Sequence, residues 1–200
     1  MRSYWTMGTV LRRRLCCRWR TTATLLSRAQ VAEALAKFPN ARSIGALRKL
    51  LSDREELTRA NAAEALGKLR ASAAARHLLA TLRSDRSPLV RGYAAEALGK
   101  LRRPALVPAL ATLLEHERSG LVRLYIVFAL YSLGERRRWT DVLGFLNDAD
   151  YWARSTAVAL LEDLLSPSRR KVIRAALAAR LKIEPTVAVA ERIREALRAR

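Results

Sequence analysis

Two twelve-residue stretches of this chain are nearly identical. Residues 58–69 read TRANAAEALGKL and residues 90–101 read VRGYAAEALGKL. A chain that repeats itself at a fixed interval is committed to a repeat architecture, because each copy must take the same local structure. The same register picks out SRAQVAEALAKF from Ser27, VRLYIVFALYSL from Val122 and ARSTAVALLEDL from Ala153. The copies start 31, 32, 32 and 31 residues apart, and a worn sixth, VAERIREALRAR, starts at Val189. Between them runs a second set: IGALRKLLSD, AARHLLATLRSD, LVPALATLLEHE, TDVLGFLND and VIRAALAARL. Each places apolar residues at i, i+3, i+4 and i+7, the mark of an amphipathic helix. Each repeat is therefore two helices and two short turns. One such pair cannot bury its apolar faces alone, whereas stacked pairs share a continuous core. The prediction is an all-α, right-handed α-solenoid of about five helix pairs over residues 27–200, with a period of about 32 residues.

Composition agrees. Half of the 200 residues are apolar, which excludes a disordered chain, and most of these are Ala and Leu. These are the strongest apolar helix formers, and six prolines and eight glycines leave long stretches unbroken. The length suffices for one sizeable core.

The VR-x-x-AAEALG helix and the LLxD turn before it resemble HEAT-like repeats of the phycobilisome-lyase type, over about residues 27–200. Asp53, Asp85, Glu117 and Asp148 precede Arg59, Arg91, Arg123 and Arg154 by six residues each. The resemblance implies that these acids and arginines form a hydrogen-bonded ladder along the solenoid. The planar guanidinium fork suits that task because it can reach two neighbouring turns. No acid stands six residues before Arg28, and the last copy lacks the arginine. Those are the ends, where capping repeats are expected to be atypical. The ladder is read as structural.

The formal charge is +20 and the isoelectric point about 11.4, from 32 Arg and six Lys against 18 acids. Such a field attracts nucleic acid, anionic membranes and acidic proteins. The turns fall into two sets, one on each edge of the solenoid. The edge that follows the AAEALG helix carries Lys37, Arg42, Lys68, Arg70, Lys100, Arg102, Arg103, Arg136, Arg137, Arg138, Arg169, Arg170 and Lys171 against Glu135 alone. The opposite edge carries eight acids, from Asp53 to Asp150, against four arginines. A basic ridge can follow a phosphate backbone. The candidate anion-binding residues are Lys68, Arg70, Lys100, Arg102, Arg103, Arg136, Arg137, Arg138, Arg169 and Arg170. The competing account is that cations favour helix C-termini, which explains one or two per turn but does not require ERRRW.

Eight of the 12 aromatic residues fall between Tyr93 and Trp152. Repeat four replaces AAEALGKL by IVFALYSL, so Phe128 stands where Glu33, Glu64 and Glu96 stood. Tyr93 and Tyr125 replace Gln30 and Asn61 at another shared position. The resemblance puts this helix on the concave surface. An aromatic stripe there suits a peptide anchor, a stacked base or a ligand. The candidate partner-binding residues are Tyr93, Tyr125, Phe128, Tyr131, Trp139 and Trp152. The competing account is that bulky residues fill space where neighbouring repeats carry Ala; Ile126, Phe145 and Tyr151 are assigned to the core on that account.

Little points to catalysis. The two histidines, His77 and His116, lack neighbours at metal-ligand spacing. The His-Glu ligands that the HEAT-like deoxyhypusine hydroxylases place after the VR pair are replaced by Gly92-Tyr93, Leu124-Tyr125 and Ser155-Thr156. Trp139, Asp141, Trp152 and Arg154 loosely match the set of HEAT-like DNA glycosylases, but Arg154 belongs to the ladder. Phycobilin lyases share the repeat type and bind a tetrapyrrole; nothing here marks a pigment site. There is no Gly-rich phosphate loop and no Ser/His/Asp set. The expectation is no catalysis, no cofactor and no metal.

Residues 1–26 are read as a separate basic extension; residues 1–32 hold seven arginines and no acid. Three readings stay open: an organelle transit segment, a lipidated membrane-surface segment, and a loosely tied terminus, with Met7 as another start. Cys16 and Cys17 are the sole cysteines and are adjacent, which argues against a disulfide framework or a Cys-based metal site and fits a reducing compartment. No apolar run approaches the roughly 20 residues that span a bilayer. The sequence therefore predicts a cytoplasmic, non-catalytic scaffold that binds an acidic protein through its concave face, or is imported if the extension is a transit segment. The alternatives are a nucleic-acid binder using the basic edge and, second, a lyase-type or glycosylase-type enzyme.

Overall fold

The computed structural model describes residues 25–198, which form eleven α-helices joined by short turns and 3-10 segments, with no strand among them. The odd-numbered helices are α1 (Leu25–Leu35), α3 (Glu56–Lys68), α5 (Pro88–Lys100), α7 (Gly120–Ser132), α9 (Tyr151–Asp163) and α11 (Val187–Arg198). The even-numbered ones are α2 (Ala41–Leu50), α4 (Ala75–Ser84), α6 (Val107–His116), α8 (Trp139–Gly144) and α10 (Pro167–Leu181). The odd helices are the AAEALG-type copies and the even ones the segments between them, so the chain is an all-α solenoid of five helix pairs and one further helix. Residues 1–24, which hold most of the predicted extension with Cys16 and Cys17, lie outside the described residues.

The two turns of each repeat are built differently. After an odd helix the chain must reverse within two residues, which favours a left-handed residue just past the helix end. Gly134 takes it at φ +122°, and Arg70 and Arg102 take it at 48° and 53°. The amides of Ala71 and Glu135 close these ends on the carbonyls of Leu66 and Leu130, at 3.0 and 3.1 Å. After an even helix an acid folds the turn. Asp53, Asp85, Glu117, Asp148 and Glu184 each accept the amide N–H two residues on, at 2.8–3.0 Å. Ser87 and Asp150 then cap α5 and α9, accepting from Val90 and Trp152.

Small residues set the spacing of the odd layer. A Cβ at Gly67 would stand 2.8 Å from the Ala97 Cα, and one at Gly99 would stand 2.9 Å from the Ala129 Cα. Helices α3, α5 and α7 therefore meet at backbone contact, whereas each even helix packs chiefly against odd ones. The layer whose members stand closer has the shorter arc, so the odd helices line the concave side.

The acid and arginine ladder exists, with a different register from the intra-repeat spacing. Arg59, Arg91 and Arg154 each donate to the backbone carbonyl of the acid six residues before them, while the carboxylate that receives the fork comes from the next turn. Arg59 donates to the Asp53 carbonyl at 2.9 Å and to the Asp85 carboxylate at 2.7 and 3.0 Å. Arg91 pairs likewise with Glu117, and Arg154 with Glu184. Arg28, which has no acid six residues before it, reaches Asp53 at 3.0 Å. The rung missing in the described residues is internal rather than terminal. Arg123 is exposed and its side chain has no ion pair or hydrogen bond among the described residues, while the Asp148 carboxylate packs over Gly120, where a Cβ would stand 2.5 Å from it.

That missing rung lies at a joint. Two buried clusters exist rather than one. The first runs from Ala32 to Leu133 and the second from Leu124 to Ala196; their buried members meet only on α7, with the half-buried Leu114 of α6 packed against both. Helix α7 gives Val122, Ile126 and Leu130 to the first, and Leu124 and Val127 to the second. One repeat on from Gly99 and Ala129, the contact positions hold Tyr131 and Leu160. A ring and an isobutyl group cannot meet at backbone contact, so α9 stands off from α7. Helix α8 is also short, six residues followed by the 3-10 turn Phe145–Asn147.

Candidate functional site

The space opened beside α7 is filled by planar side chains from four places in the chain. Tyr131 comes from the last turn of α7, Arg136 from the 3-10 turn Arg136–Arg138, Trp139 from the start of α8 and Arg169 from the first turn of α10. The ring of Phe128 stacks on that of Tyr131, with centroids 6.1 Å apart and planes at 25°. The Arg136 guanidinium lies 4.8 Å from the Tyr131 centroid. The Arg169 guanidinium lies 5.4 Å from that centroid and 5.3 Å from that of Trp139. Its Nη1 also donates to the Tyr131 hydroxyl oxygen at 2.9 Å. That bond, with Arg136 beside it, holds the Tyr131 phenol below the usual tyrosine range, although burial pushes the other way. Among the described residues no carboxylate lies within 4.0 Å of either guanidinium; their partners are π faces and one phenol.

The structure thus brings together Phe128, Tyr131, Trp139, Arg136 and Arg169, which the sequence assigned to two separate sets. It separates the others. Tyr93 on α5 and Tyr125, one turn before Phe128 on α7, stack on each other with centroids 6.4 Å apart and pack against the first core. Tyr125 seats its ring over Gly92, and burial, with Glu96 and Tyr93 near it, pushes its phenol up to about 12. Trp152 stands at the start of α9, on the acidic edge, 59% exposed and paired with Tyr151 at 4.8 Å. Tyr151 is itself 42% exposed, so its assignment to the core is corrected: it precedes the buried face of α9, which begins at Ala153. Ile126 is fully buried, and Phe145 packs on the second core.

The basic edge divides as well. Lys68 and Lys100 bond back to Glu64 and Glu96, at 2.8 and 2.6 Å. Arg138 holds both Glu135 and Asp141. Arg70, Arg102, Arg103, Arg137 and Arg170 are exposed and carry no ion pair among the described residues. Sequence reading missed Glu184 as the fifth ladder acid. It lies 30 residues after Arg154 instead of 25 or 26, and its signal is the EPT turn before the last copy.

An open groove of about 520 Å³ lies on the acidic edge, between α2 and α4. It is lined by ladder residues with Arg48 and His77, which bond to each other at 2.9 Å. Burial, with Arg48 and Arg76 nearby, keeps the His77 ring below its ordinary pKa. No group of His, Cys, Asp and Glu able to hold a metal ion occurs among the described residues. No helix there is long and apolar enough to cross a membrane.

A family model for HEAT repeats matches residues 25–86 and 75–182. Among solved structures, the chain is similar to one from the complex of CpcE and CpcF of phycocyanin lyase from Nostoc sp. PCC7120. The identity is 21% over 88% of this chain and 90% of that one, with a TM-score of 0.49. It is also similar to a designed armadillo repeat protein, at 20% identity over 86% of this chain and 89% of that one, with a TM-score of 0.43. No curated protein matches it.

Proposed function

Since the chain belongs to the HEAT-repeat family, we propose that it is a binding scaffold for an acidic protein, which it receives on the concave surface of its odd helices. The observation that carries this reading is the grouping of Phe128, Tyr131 and Trp139 with two arginines at the joint of repeats four and five. Half-buried aromatic side chains beside unpaired guanidinium groups are the composition of protein-interface anchors. The free arginines of the basic edge would steer an acidic partner without fixing it. The chemistry assigned to the site is recognition rather than bond making, and it uses no cofactor.

The test immobilises the full chain, exposes it to lysate of its source cells treated with nuclease, and elutes with salt. The expected outcome is a retained protein that resists about 0.3 M salt, beyond the range of surface charge attraction, and is lost with Phe128→Ala whose helical circular dichroism is unchanged. A second reading, nucleic-acid binding, is favoured by Arg70 and Arg102. These exposed cations occupy one position in successive repeats and accept a left-handed backbone. Retention of nucleic acid alone, released with a steep salt dependence, would replace the first reading by the second.

A further inference from the structure

Among the described residues, Arg28, Arg59, Arg91, Arg138, Arg154 and Arg180 lie within hydrogen-bond distance of carboxylates, and Arg54 stands 3.6 Å from Glu55. Arg169 is half-buried and is held differently, between two aromatic rings and against a phenol oxygen. One hydrogen bond occupies Nη1 and leaves the rest of its fork unused, since a guanidinium has five N–H donors. Arg136, exposed on the same ring, has no carboxylate either. Two positive charges drawn to one tyrosine repel each other, and a π face compensates a guanidinium less than a carboxylate does. What such a pair lacks is an oxyanion.

The geometry around it is suited to that role. Tyr131 and Leu160 keep α7 and α9 apart, so the group lies at a break in the odd layer rather than on a closed helix face. Rings hold the planes of the guanidinium groups, which limits the rotamer freedom that an incoming anion would otherwise have to remove. The phenol of Tyr131 adds a third hydrogen-bonding group, already polarised by Arg169. Phe128, stacked on Tyr131, offers an apolar surface next to the charge. Glu135 and Asp141, the acids nearest in sequence, are held by Arg138 and do not compete.

We infer that Arg136, Arg169 and Tyr131 form an oxyanion subsite for an acidic or phosphorylated side chain of a peptide, with Phe128 receiving an apolar neighbour of that side chain. The inference rests on the scaffold reading above and names the chemistry that its partner presents. Carboxylate and phosphate share this recognition, so the test distinguishes them.

Fluorescence anisotropy of the full chain is measured at about 0.15 M salt, where exposed charges more than a Debye length apart are screened. Three labelled peptides are compared, alternating Leu with Glu, with phosphoserine or with Gln. The Glu and phosphoserine peptides are expected to bind at least tenfold tighter than the Gln peptide. Arg136→Gln, at an exposed position, is expected to weaken them about tenfold and leave the Gln peptide unchanged. Arg169→Lys keeps the charge but loses the fork, and is expected to weaken them severalfold. A phosphoserine peptide tenfold tighter than the Glu peptide identifies a phosphorylated partner; parity identifies a carboxylate. Equal binding of all three peptides, with Arg136→Gln silent, overturns the subsite and leaves the scaffold reading standing. No saturable binding of the charged peptides overturns the subsite as well. If a single-stranded oligonucleotide of equal charge binds tighter than both and displaces them, the scaffold reading falls instead.

Discussion

Arg154 and Arg123 occupy one repeat position and meet opposite environments. Arg154 is buried, donates to two carbonyls, and meets a Glu184 side chain with no exposure. Arg123 is exposed and has no carboxylate partner among the described residues. Replacing Arg154 by Met leaves a buried carboxylate without its main partner and is expected to cost about 3 kcal/mol in urea unfolding. Arg123→Ala is expected to stay within about 0.5 kcal/mol. Burial alone would raise the Glu184 carboxyl, but Arg154, the Thr186 amide and Arg180 outweigh it and hold it at about 2, below the ordinary 4.5. A depressed carboxyl stabilises the fold fully above its unfolded value and loses that contribution as pH falls toward the folded one. The Arg154→Met penalty should therefore shrink between about pH 4.5 and 2, and a penalty that persists there would assign it to packing alone. The ladder acids before α3, α5, α7 and α9 were legible from their six-residue spacing to an arginine. The register of the pairing was not, because sequence spacing does not say whether a carbonyl or a carboxylate receives the fork.

Glycines within helices show how an element is positioned by what it touches. Gly45 sits inside α2 with nothing within 4 Å of a built Cβ, whereas Gly99 sits inside α5 against the Ala129 backbone. Gly45→Ala is expected to raise stability by about 0.5–1 kcal/mol through helix propensity. Gly99→Ala gains the same propensity but must push α5 from α7, with an expected net loss of about 1–2 kcal/mol. Paired thermal unfolding curves would check both; a stabilising Gly99→Ala would mean that the odd helices can part easily. The helices themselves were readable from the 3.6-residue period, and so was the departure of repeat four. What remained unreadable was the meeting of Tyr131 with Arg169. The two are 38 residues apart and come from different repeats. Their contact depends on how far α9 stands off from α7, which follows from two bulky residues acting together.

At the scale of the whole molecule the solenoid is two stacked units whose buried cores meet on α7, with Leu114 of α6 against both. Neighbour contacts supply most of the stability of a repeat array, so a weak neighbour interface divides it. Between α7 and α9 both the ladder rung and the small-residue contact are absent. Hydrogen exchange should therefore protect α3 and α5 more than α9 and α11, with the change falling across α7. Uniform protection from α3 to α11 would rule out the division. The close odd layer on the other side of that joint has a metric consequence. Helices in backbone contact stand about 8 Å apart, and an extended peptide advances about 3.3 Å per residue. Arg70 and Arg102 hang from such neighbouring helices at one shared position, so they act as marks on a ruler. A strand laid across them would meet a positive charge every second or third residue, and the rhythm of acids along a partner would matter as much as their number.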